Sequence, residues 1–176
     1  DALLDAENDI RQVLVRQEAN GGHAANGYAR ISGKPAVCIA TSGPGATNLI
    51  TAIATAYADS IPIVCITGQV NTDQIGSDVF QEADITGSAE PFVKHSYLLK
   101  DPEDTARVFK EAFYIAGTGR PGPVLIDIPM DVQKSVIDFE YPEKCEIRSY
   151  KPTTKGNDVQ VRRVMAGLEE VEKPLI

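Results

Sequence analysis

The sequence has no apolar run close to the ~20 residues that a membrane-spanning helix needs, and it shows no charged-then-apolar leader. These absences predict a cytoplasmic chain without a membrane partner. Basic residues are also few, since 17 Lys and Arg stand against 25 Asp and Glu, giving a formal net charge of −8. A nucleic-acid-binding face would need clustered cations, so the composition argues against a nucleic-acid partner and indicates an acidic, solvated surface.

Cysteine and histidine are scarce as well. The three cysteines, Cys38, Cys65 and Cys145, have no close spacing, and two of them stand inside apolar runs. We expect reduced thiols rather than a disulfide framework. No Cys/His pair has the spacing of metal ligands, so no metal site is predicted in this chain. Of the two histidines, His23 is expected to pack within a helix and His95 to open a strand.

Short apolar segments alternate with longer amphipathic ones. The segments rich in Val and Ile, several with little polar interruption, are typical of strands buried on both faces of a parallel sheet. The predicted strands are Ile10–Val15, Ala36–Thr41, Ile61–Thr67, His95–Leu99 and Val124–Ile128. The predicted helices are Ala19–Ile31, Gly45–Ala58 and Asp101–Ala116, the last with Asp101 as N-cap and Pro102 in its first position. This alternation predicts an α/β fold with an open, mostly parallel sheet, helices on both faces and ligands at the carboxyl ends of the strands.

The pattern changes after Pro129. Residues 131–157 are charged and irregular up to about Pro152, which predicts an exposed linker, and a further helix is expected at Asp158–Val171. We therefore divide the chain into a domain at 1–130, a linker at 131–157 and a helix with the start of another domain at 158–176. Because the chain opens on Asp1 and closes where a strand is expected to begin, we expect it to be a fragment.

Two features could carry chemistry. The turn Thr41–Asn48 joins a predicted strand to a predicted helix, and its glycines would let the backbone approach a ligand. Glu18 stands where a predicted strand gives way to a helix. From these residues alone, a plain strand-to-helix turn and a carboxylate that interacts only with the helix dipole fit as well as a ligand site.

Several ordered motifs resemble the catalytic subunit of acetolactate synthases, and the similarity extends over nearly the whole chain. The segments that carry it are Val15–Ala19, His23–Arg30, Thr41–Asn48, Tyr57–Pro62, Thr67–Val70, Ile75–Asp84, Gly119–Val124 and Asp127–Pro129. The resemblance implies the pyrimidine-binding domain of a thiamine-diphosphate enzyme, without that domain's opening strand and glycine-rich loop. The family's diphosphate-binding domain, which holds Mg²⁺, would lie outside this chain.

The resemblance also implies roles for single residues. Glu18 would bond N1′ of the cofactor's aminopyrimidine ring and assist removal of its C2 proton. Thr41, Pro44 and Asn48 would line the pyrimidine pocket, and Gln81 would reach the cofactor of a neighbouring subunit. Arg107 matches a residue that contacts FAD in many members, with a solvated surface arginine as the alternative. Phe80, beside Gln81, is either part of that site or a core aromatic.

The implied reaction is the condensation of two pyruvates, or of pyruvate with 2-oxobutanoate, in branched-chain amino-acid biosynthesis. A homodimer or tetramer, and a regulatory small subunit, are implied partners.

Met130 stands where many biosynthetic members have Lys, and Asn71 where many have Pro, which leaves herbicide sensitivity open. The alternatives are another thiamine-diphosphate decarboxylase or oxidase, and a non-catalytic α/β nucleotide-binding module. Glyoxylate carboligases, which have an apolar residue in place of Glu18, are disfavoured.

Overall fold

A computed structural model describes residues 2–6 and 9–175, so Asp1 and Ile176, the outer limits of the predicted domains, lie outside the described residues. The strands are β1 (Ala36–Ala40), β2 (Ile63–Gln69), β3 (His95–Leu98) and β4 (Val124–Pro129). The helices are α1 (Ala2–Asp5), α2 (Glu18–Ser32), α3 (Pro44–Thr47), α4 (Ile50–Ala58), α5 (Ile85–Ala89), α6 (Thr105–Gly117), α7 (Met130–Gln133) and α8 (Asp158–Glu169). Single 3₁₀ turns occur at Thr72–Gln74, Glu90–Phe92 and Pro102–Asp104.

The strands form one sheet in the order β1-β2-β4-β3, with every described pair parallel. The last strand of the chain therefore lies in the interior of the sheet. Because all strands run in one direction, their carboxyl ends meet at the same edge, where parallel sheets bind ligands. Cys38 pairs with Cys65 in register, and Thr67 pairs with Asp127. The predicted α/β class with a parallel sheet is confirmed.

Helices cover both faces of this sheet and create two apolar layers. One layer packs α2 and α4 onto β1 and β2, around Leu49, Ile53 and Ile63. The other packs α6 onto β2 and β4, around Val108, Ile126 and neighbouring side chains. The alternation of helix and strand in the chain thus gives a three-layer domain in which the interior strands are fully covered.

The predicted strand Ile10–Val15 is wrong. Residues 11–15 have no ladder partner and no regular structure, and Leu14 is 98% exposed. An apolar run becomes a strand only when a neighbouring strand satisfies its backbone, and β1, at the edge of the sheet, pairs only with β2 among the described residues. Glu18 therefore follows an irregular segment that lies outside the sheet.

The predicted helices are present but differ in detail. The stretch Gly45–Ala58 is two helices, α3 and α4, because the chain makes a turn at Asn48 and Leu49. The predicted Asp101 cap is confirmed: its carboxylate accepts a hydrogen bond from the Glu103 N–H at 3.0 Å, although the first turn is 3₁₀ and α6 begins only at Thr105. The last helix, α8, ends at Glu169 rather than Val171.

The segment after β4 is less exposed than its composition predicts. It begins with α7, whose Val132 is buried. Ile147 and Tyr150 pack against the α6 layer of the core. The Tyr150 hydroxyl donates to the Thr118 carbonyl at 2.7 Å and accepts from the Lys94 ammonium at 2.9 Å. Residues 147–150 therefore form a strap across the domain, because two apolar side chains in a charged stretch are enough to dock it.

The helix α8 has no buried residue, so its apolar side chains face outward. Within residues 2–6 and 9–175, no helix has the length and apolarity to span a bilayer. The same residues contain no cluster of three or more His, Cys, Asp or Glu side chains that could hold a metal ion.

Candidate functional site

Glu18 is the first residue of α2, directly after its N-cap. The Gln17 side chain caps the helix by accepting from the Asn20 N–H at 3.1 Å. This capping fixes the first turn of α2 and sets the Glu18 carboxylate at the positive end of the helix dipole. There Glu18 Oε2 accepts a hydrogen bond from Asn48 Nδ2 at 3.1 Å. Two of the predicted site residues are thus in contact.

The Glu18 carboxyl group is ionised and oriented rather than enclosed. The hydrogen bond from Asn48, followed by one from Glu18's own backbone N–H, lowers the pKa of the carboxyl group, and the opposing effect of burial is smaller. The residue is half-buried. A dry pocket around Glu18 is therefore not formed by this chain alone, and further atoms would have to cover the carboxylate to make one.

The turn Thr41–Asn48 lies against Glu18 because of its glycines. A Cβ on Gly45 would lie 2.6 Å from Thr41 Cγ2, so a larger residue would clash within the turn, and it would lie 3.4 Å from Glu18 Oε1, which is van der Waals contact. Gly43 has φ 62, a backbone conformation that favours glycine, and it precedes Pro44 at the start of α3. Thr41, Pro44 and Asn48 are all exposed, and of the three it is Asn48 that contacts the Glu18 carboxylate. Gly45, packed against Thr41, brings the middle of the turn beside the same carboxylate.

Gln81 approaches the same turn from the other side. It belongs to residues 70–84, which connect β2 to α5 and are called the β2–α5 loop below. Gln81 has φ 61, and its Cα lies where a Cβ on Gly43 would be only 2.9 Å away. Phe80 is 89% exposed, so the alternative of a core aromatic is wrong. Both side chains project away from the core at the edge that carries Glu18.

Arg107 does not join this group. It lies on α6, on the face of the sheet opposite α2 and α4. Its guanidinium forms ion pairs with Asp104 at 2.9 Å and Glu111 at 3.1 Å. The hydrogen bond to Asp104 contributes most to raising the pKa of Arg107. Arg107 also lines a cleft of about 560 Å³ whose other lining residues include His95 and Tyr97.

One buried polar cluster at the same sheet edge was missed in the sequence. Asp127, only 1% exposed, accepts hydrogen bonds from Thr67 Oγ1 at 2.6 Å and from Gln69 Nε2 at 2.9 Å. Burial raises the pKa of Asp127 to about 6, against the effect of these two donors. The sequence does contain a sign of this cluster. Asp127 is a carboxylate within the otherwise apolar run Val124–Pro129, and a charged residue in a buried strand needs hydrogen-bonding partners.

The two positions that depart from the family pattern also lie near this edge. Met130 opens α7 directly after β4 and is exposed, with the Lys134 ammonium 3.4 Å from its sulfur. Asn71 precedes the 3₁₀ turn of the β2–α5 loop, where the backbone N–H of Thr72 donates to Asp131 at 3.1 Å. Herbicide sensitivity, which these positions leave open, stays a prediction.

His23 and His95 are both exposed, so the expected packing role for His23 is wrong.

Comparison with known proteins agrees with this geometry. Residues 1–88 match the family described as thiamine pyrophosphate enzyme, N-terminal TPP binding domain. The chain is 51% identical over its full length to the acetolactate synthase of Arthrospira platensis and 50% identical, again over its full length, to that of Mycobacterium bovis. It is 48% identical over 98% of its length to the acetolactate synthase large subunit of Corynebacterium glutamicum.

The alignments cover 31%, 28% and 28% of those three relatives, so the chain spans about a third of their length or less. The family match includes Glu18 and the whole Thr41–Asn48 turn, and it continues through Gln81. From this match and the arrangement of its site, the chain belongs to the N-terminal, TPP-binding domains of thiamine pyrophosphate enzymes.

Proposed function

We propose that this chain is the pyrimidine-binding part of an acetolactate synthase catalytic subunit. The parent enzyme would condense two pyruvates, or pyruvate with 2-oxobutanoate, to a 2-acetohydroxy acid with loss of CO₂, in branched-chain amino-acid biosynthesis. One observation carries the proposal: an ionised carboxylate, Glu18, is held by Asn48 beside a glycine turn at the ligand-binding edge of a parallel sheet. The extensive identity to acetolactate synthases supports it.

The residues fit the pyrimidine half of thiamine diphosphate. An ionised carboxylate is a strong acceptor for a ring N–H, and Gly45 lets the backbone of the turn pack beside Glu18 Oε1. When bound, the cofactor supplies the electron sink for decarboxylation and carbon–carbon bond formation. The described residues offer no metal-binding cluster for a diphosphate, so Mg²⁺ and that end of the cofactor would be held by another domain of the parent.

Glu18 would hold a proton on N1′ of the aminopyrimidine ring. Asn48 orients the carboxylate for this task and keeps it ionised in the open chain. Covering the carboxylate with cofactor and a second subunit would raise its pKa, because burial disfavours the charged form. Proton transfer of this kind contributes about 10²–10⁴-fold to a rate. Thr41 and Pro44 would then pack against the ring and exclude water from it.

The exposed apolar side chains indicate where a second subunit would bind. Phe80 projects beside Gln81, and Leu14 and Ile31 are almost fully exposed. We propose a homodimer or tetramer that covers Phe80 and in which Gln81 reaches the partner's cofactor. A regulatory small subunit and a cytoplasmic location complete the proposal.

FAD is a proposed further cofactor, with Arg107 as its contact. The support is that Arg107 lines the cleft of about 560 Å³ and remains exposed there. Its guanidinium would have to exchange part of its pairing with Asp104 and Glu111 for a phosphate or ring oxygen.

The alternative within the same class is another thiamine-diphosphate decarboxylase or oxidase. A non-catalytic nucleotide-binding module would have no use for the Glu18–Asn48 pair.

The test is a pyruvate-to-acetolactate assay on the full-length parent, with and without added FAD. Glu18→Gln should lower kcat by about 10²–10⁴-fold while the fold persists. Glu103→Gln, which removes an exposed carboxylate beside α6, is the matched control and should retain activity. An active Glu18→Gln enzyme would overturn the assignment. We expect the chain expressed alone to be inactive and to self-associate.

A further inference from the structure

The buried carboxylate of Asp127 is not used by the chemistry proposed above, yet it is linked to the site through Gln69. All hydrogen-bonding atoms of the Gln69 side chain are occupied. Its Nε2 donates to Asp127 Oδ2 at 2.9 Å and to the Ala83 carbonyl at 2.8 Å, while its Oε1 accepts from the Val70 N–H at 2.9 Å. The amide can therefore take only one orientation, which the Asp127 carboxylate, the Ala83 carbonyl and the Val70 N–H fix together.

The Ala83 carbonyl belongs to the last turn of the β2–α5 loop. Two residues earlier, the backbone of Gln81 packs against Gly43. The approach is so close that a Cβ added to Gly43 would lie 2.9 Å from the Cα of Gln81. The loop has a further attachment, since Asp131 accepts from the Thr72 N–H at 3.1 Å, and it is braced internally where Glu82 accepts from the Val79 N–H at 3.1 Å. Among these, the bond from Gln69 joins the Gln81 end of the loop to the interior of the sheet.

We propose that Asp127 is a positioning residue: through Gln69 it fixes the β2–α5 loop so that Gln81 stays against the turn that borders Glu18. This inference rests on the proposed function for its effect on catalysis, but its structural part can be tested separately. The Thr67 hydroxyl, which bonds the other Asp127 oxygen at 2.6 Å, holds the carboxylate in the rotamer that faces Gln69.

The two buried donors, the Thr67 hydroxyl and the Gln69 amide, explain why an acceptor is placed at residue 127 despite its burial. A buried acceptor with two donors is well satisfied, whereas an apolar residue at 127 would leave both the Thr67 hydroxyl and the Gln69 amide without a partner. Asparagine is nearly isosteric. It can accept from Gln69 through its oxygen and donate to the Thr67 hydroxyl, so it should preserve the link to Ala83.

The first test measures backbone amide exchange in the parent protein without substrate, over the peptide spanning Asn71–Asp84. Asp127→Ala should speed exchange of the Gln74, Ser77 and Glu82 amides, which bond within the loop, by roughly tenfold. Asp127→Asn should restore the protection. If Asp127→Ala does not fold, Gln69→Ala decides, because it removes the bond to Ala83 and leaves Asp127 with Thr67.

Val108→Ala is the matched control. It creates a cavity in the α6 layer of the core, away from the loop, and should lower stability without loosening residues 71–84. Unchanged loop exchange in Gln69→Ala, or an equal increase in Val108→Ala, would overturn the proposal.

The second test is kinetic and uses the same variants with pyruvate. A displaced Gln81 should lower kcat by roughly 10- to 10²-fold in Gln69→Ala, with a smaller change in KM and recovery in Asp127→Asn relative to Asp127→Ala. A loosened loop with normal kcat would contradict the positioning role while the proposed function stands. A wild-type parent that does not turn over pyruvate would refute the proposed function and leave the exchange result unaffected.

Discussion

Gly43 and Gln81 pack backbone against backbone, so closely that a Cβ on Gly43 would lie 2.9 Å from both Cα and the carbonyl oxygen of Gln81. The two residues come from different connections, one after β1 and one after β2. Each has a positive φ, 62 for Gly43 and 61 for Gln81. This contact joins the turn beside Glu18 to the β2–α5 loop and makes the candidate site a single structural unit.

Replacing Gly43 by alanine should therefore destabilise the domain and displace the loop. The new Cβ meets backbone atoms that cannot rotate away, and the backbone conformation of Gly43 is strained for alanine, at a cost of roughly 1–3 kcal/mol. Urea unfolding of the parent and its pyruvate turnover should both show losses. Gly27→Ala is the control: Gly27 lies inside α2 with open space around it, so alanine should raise stability by about 0.5–1 kcal/mol. A neutral Gly43→Ala would show that the contact can relax.

Removing the Asn48 amide should raise the pKa of Glu18. The hydrogen bond from Asn48 is the largest influence that lowers the pKa of this carboxyl group, so Asn48→Ala should move its titration toward higher pH. Carboxyl-carbon NMR of the isolated chain, diluted until it is monomeric, can follow the titration directly. Thr47→Ala removes a hydroxyl that bonds the Pro44 carbonyl in the same turn and should leave the Glu18 titration unchanged. An identical titration in Asn48→Ala and wild type would rule out the orienting role of Asn48.

The buried Asp127 should make stability fall as pH rises. Burial raises its pKa to about 6 in the folded chain, against the ordinary 3.8, so the folded state binds this proton more tightly than the unfolded state does. The stabilising contribution is complete below about pH 4 and is lost as pH rises through about 6, a change on the order of 3 kcal/mol. The side chain of Asp127→Asn does not titrate in this pH range. The unfolding free energy of wild type minus that of Asp127→Asn should therefore decrease between pH 4 and 7, and a constant difference would disprove the raised pKa.

The strap 147–150 should contribute measurably to stability through one hydroxyl group. Tyr150→Phe removes the bond to the Thr118 carbonyl and leaves the Lys94 ammonium with one acceptor fewer, which should cost about 1–2 kcal/mol in thermal unfolding. Tyr141→Phe alters an exposed tyrosine of the same irregular segment and should have little effect. Equal effects of the two substitutions would mean that the strap does not hold the domain together.

Much of the fold could be predicted from local patterns. The apolar runs that became β1, β2, β3 and β4 are short and flanked by helix signals, and the Asp101 cap is encoded by its immediate neighbours. The strand order could not be read in the same way, since nothing local to Val124–Pro129 says that this segment pairs with both β2 and β3. Ile10–Val15 illustrates the same limit, because an apolar run carries no information about whether a partner strand is present.

The site divides along similar lines. The family resemblance placed Glu18 and the Thr41–Asn48 turn in one pocket, and Glu18 and Asn48 are in contact, although the strand predicted before Glu18 is absent from the described residues. The role of Gln69 could not be predicted, because its two acceptors, Asp127 and Ala83, lie 58 and 14 residues away in the chain. The pairing of Arg107 with Asp104 and Glu111 has helical spacing and was visible in principle, but it does not identify a ligand.

The order β1-β2-β4-β3 has a consequence for how the domain is synthesised. On a ribosome, β3 emerges well before β4, yet among the described strands it has no neighbour other than β4. In the nascent chain, β1 and β2 can pair early. The backbone of β3 stays unpaired until residues 124–129 have left the exit tunnel. The final strand is inserted between two waiting edges, so translation speed over the stretch from Leu98 to Pro129 governs how long those edges stay open to aggregation.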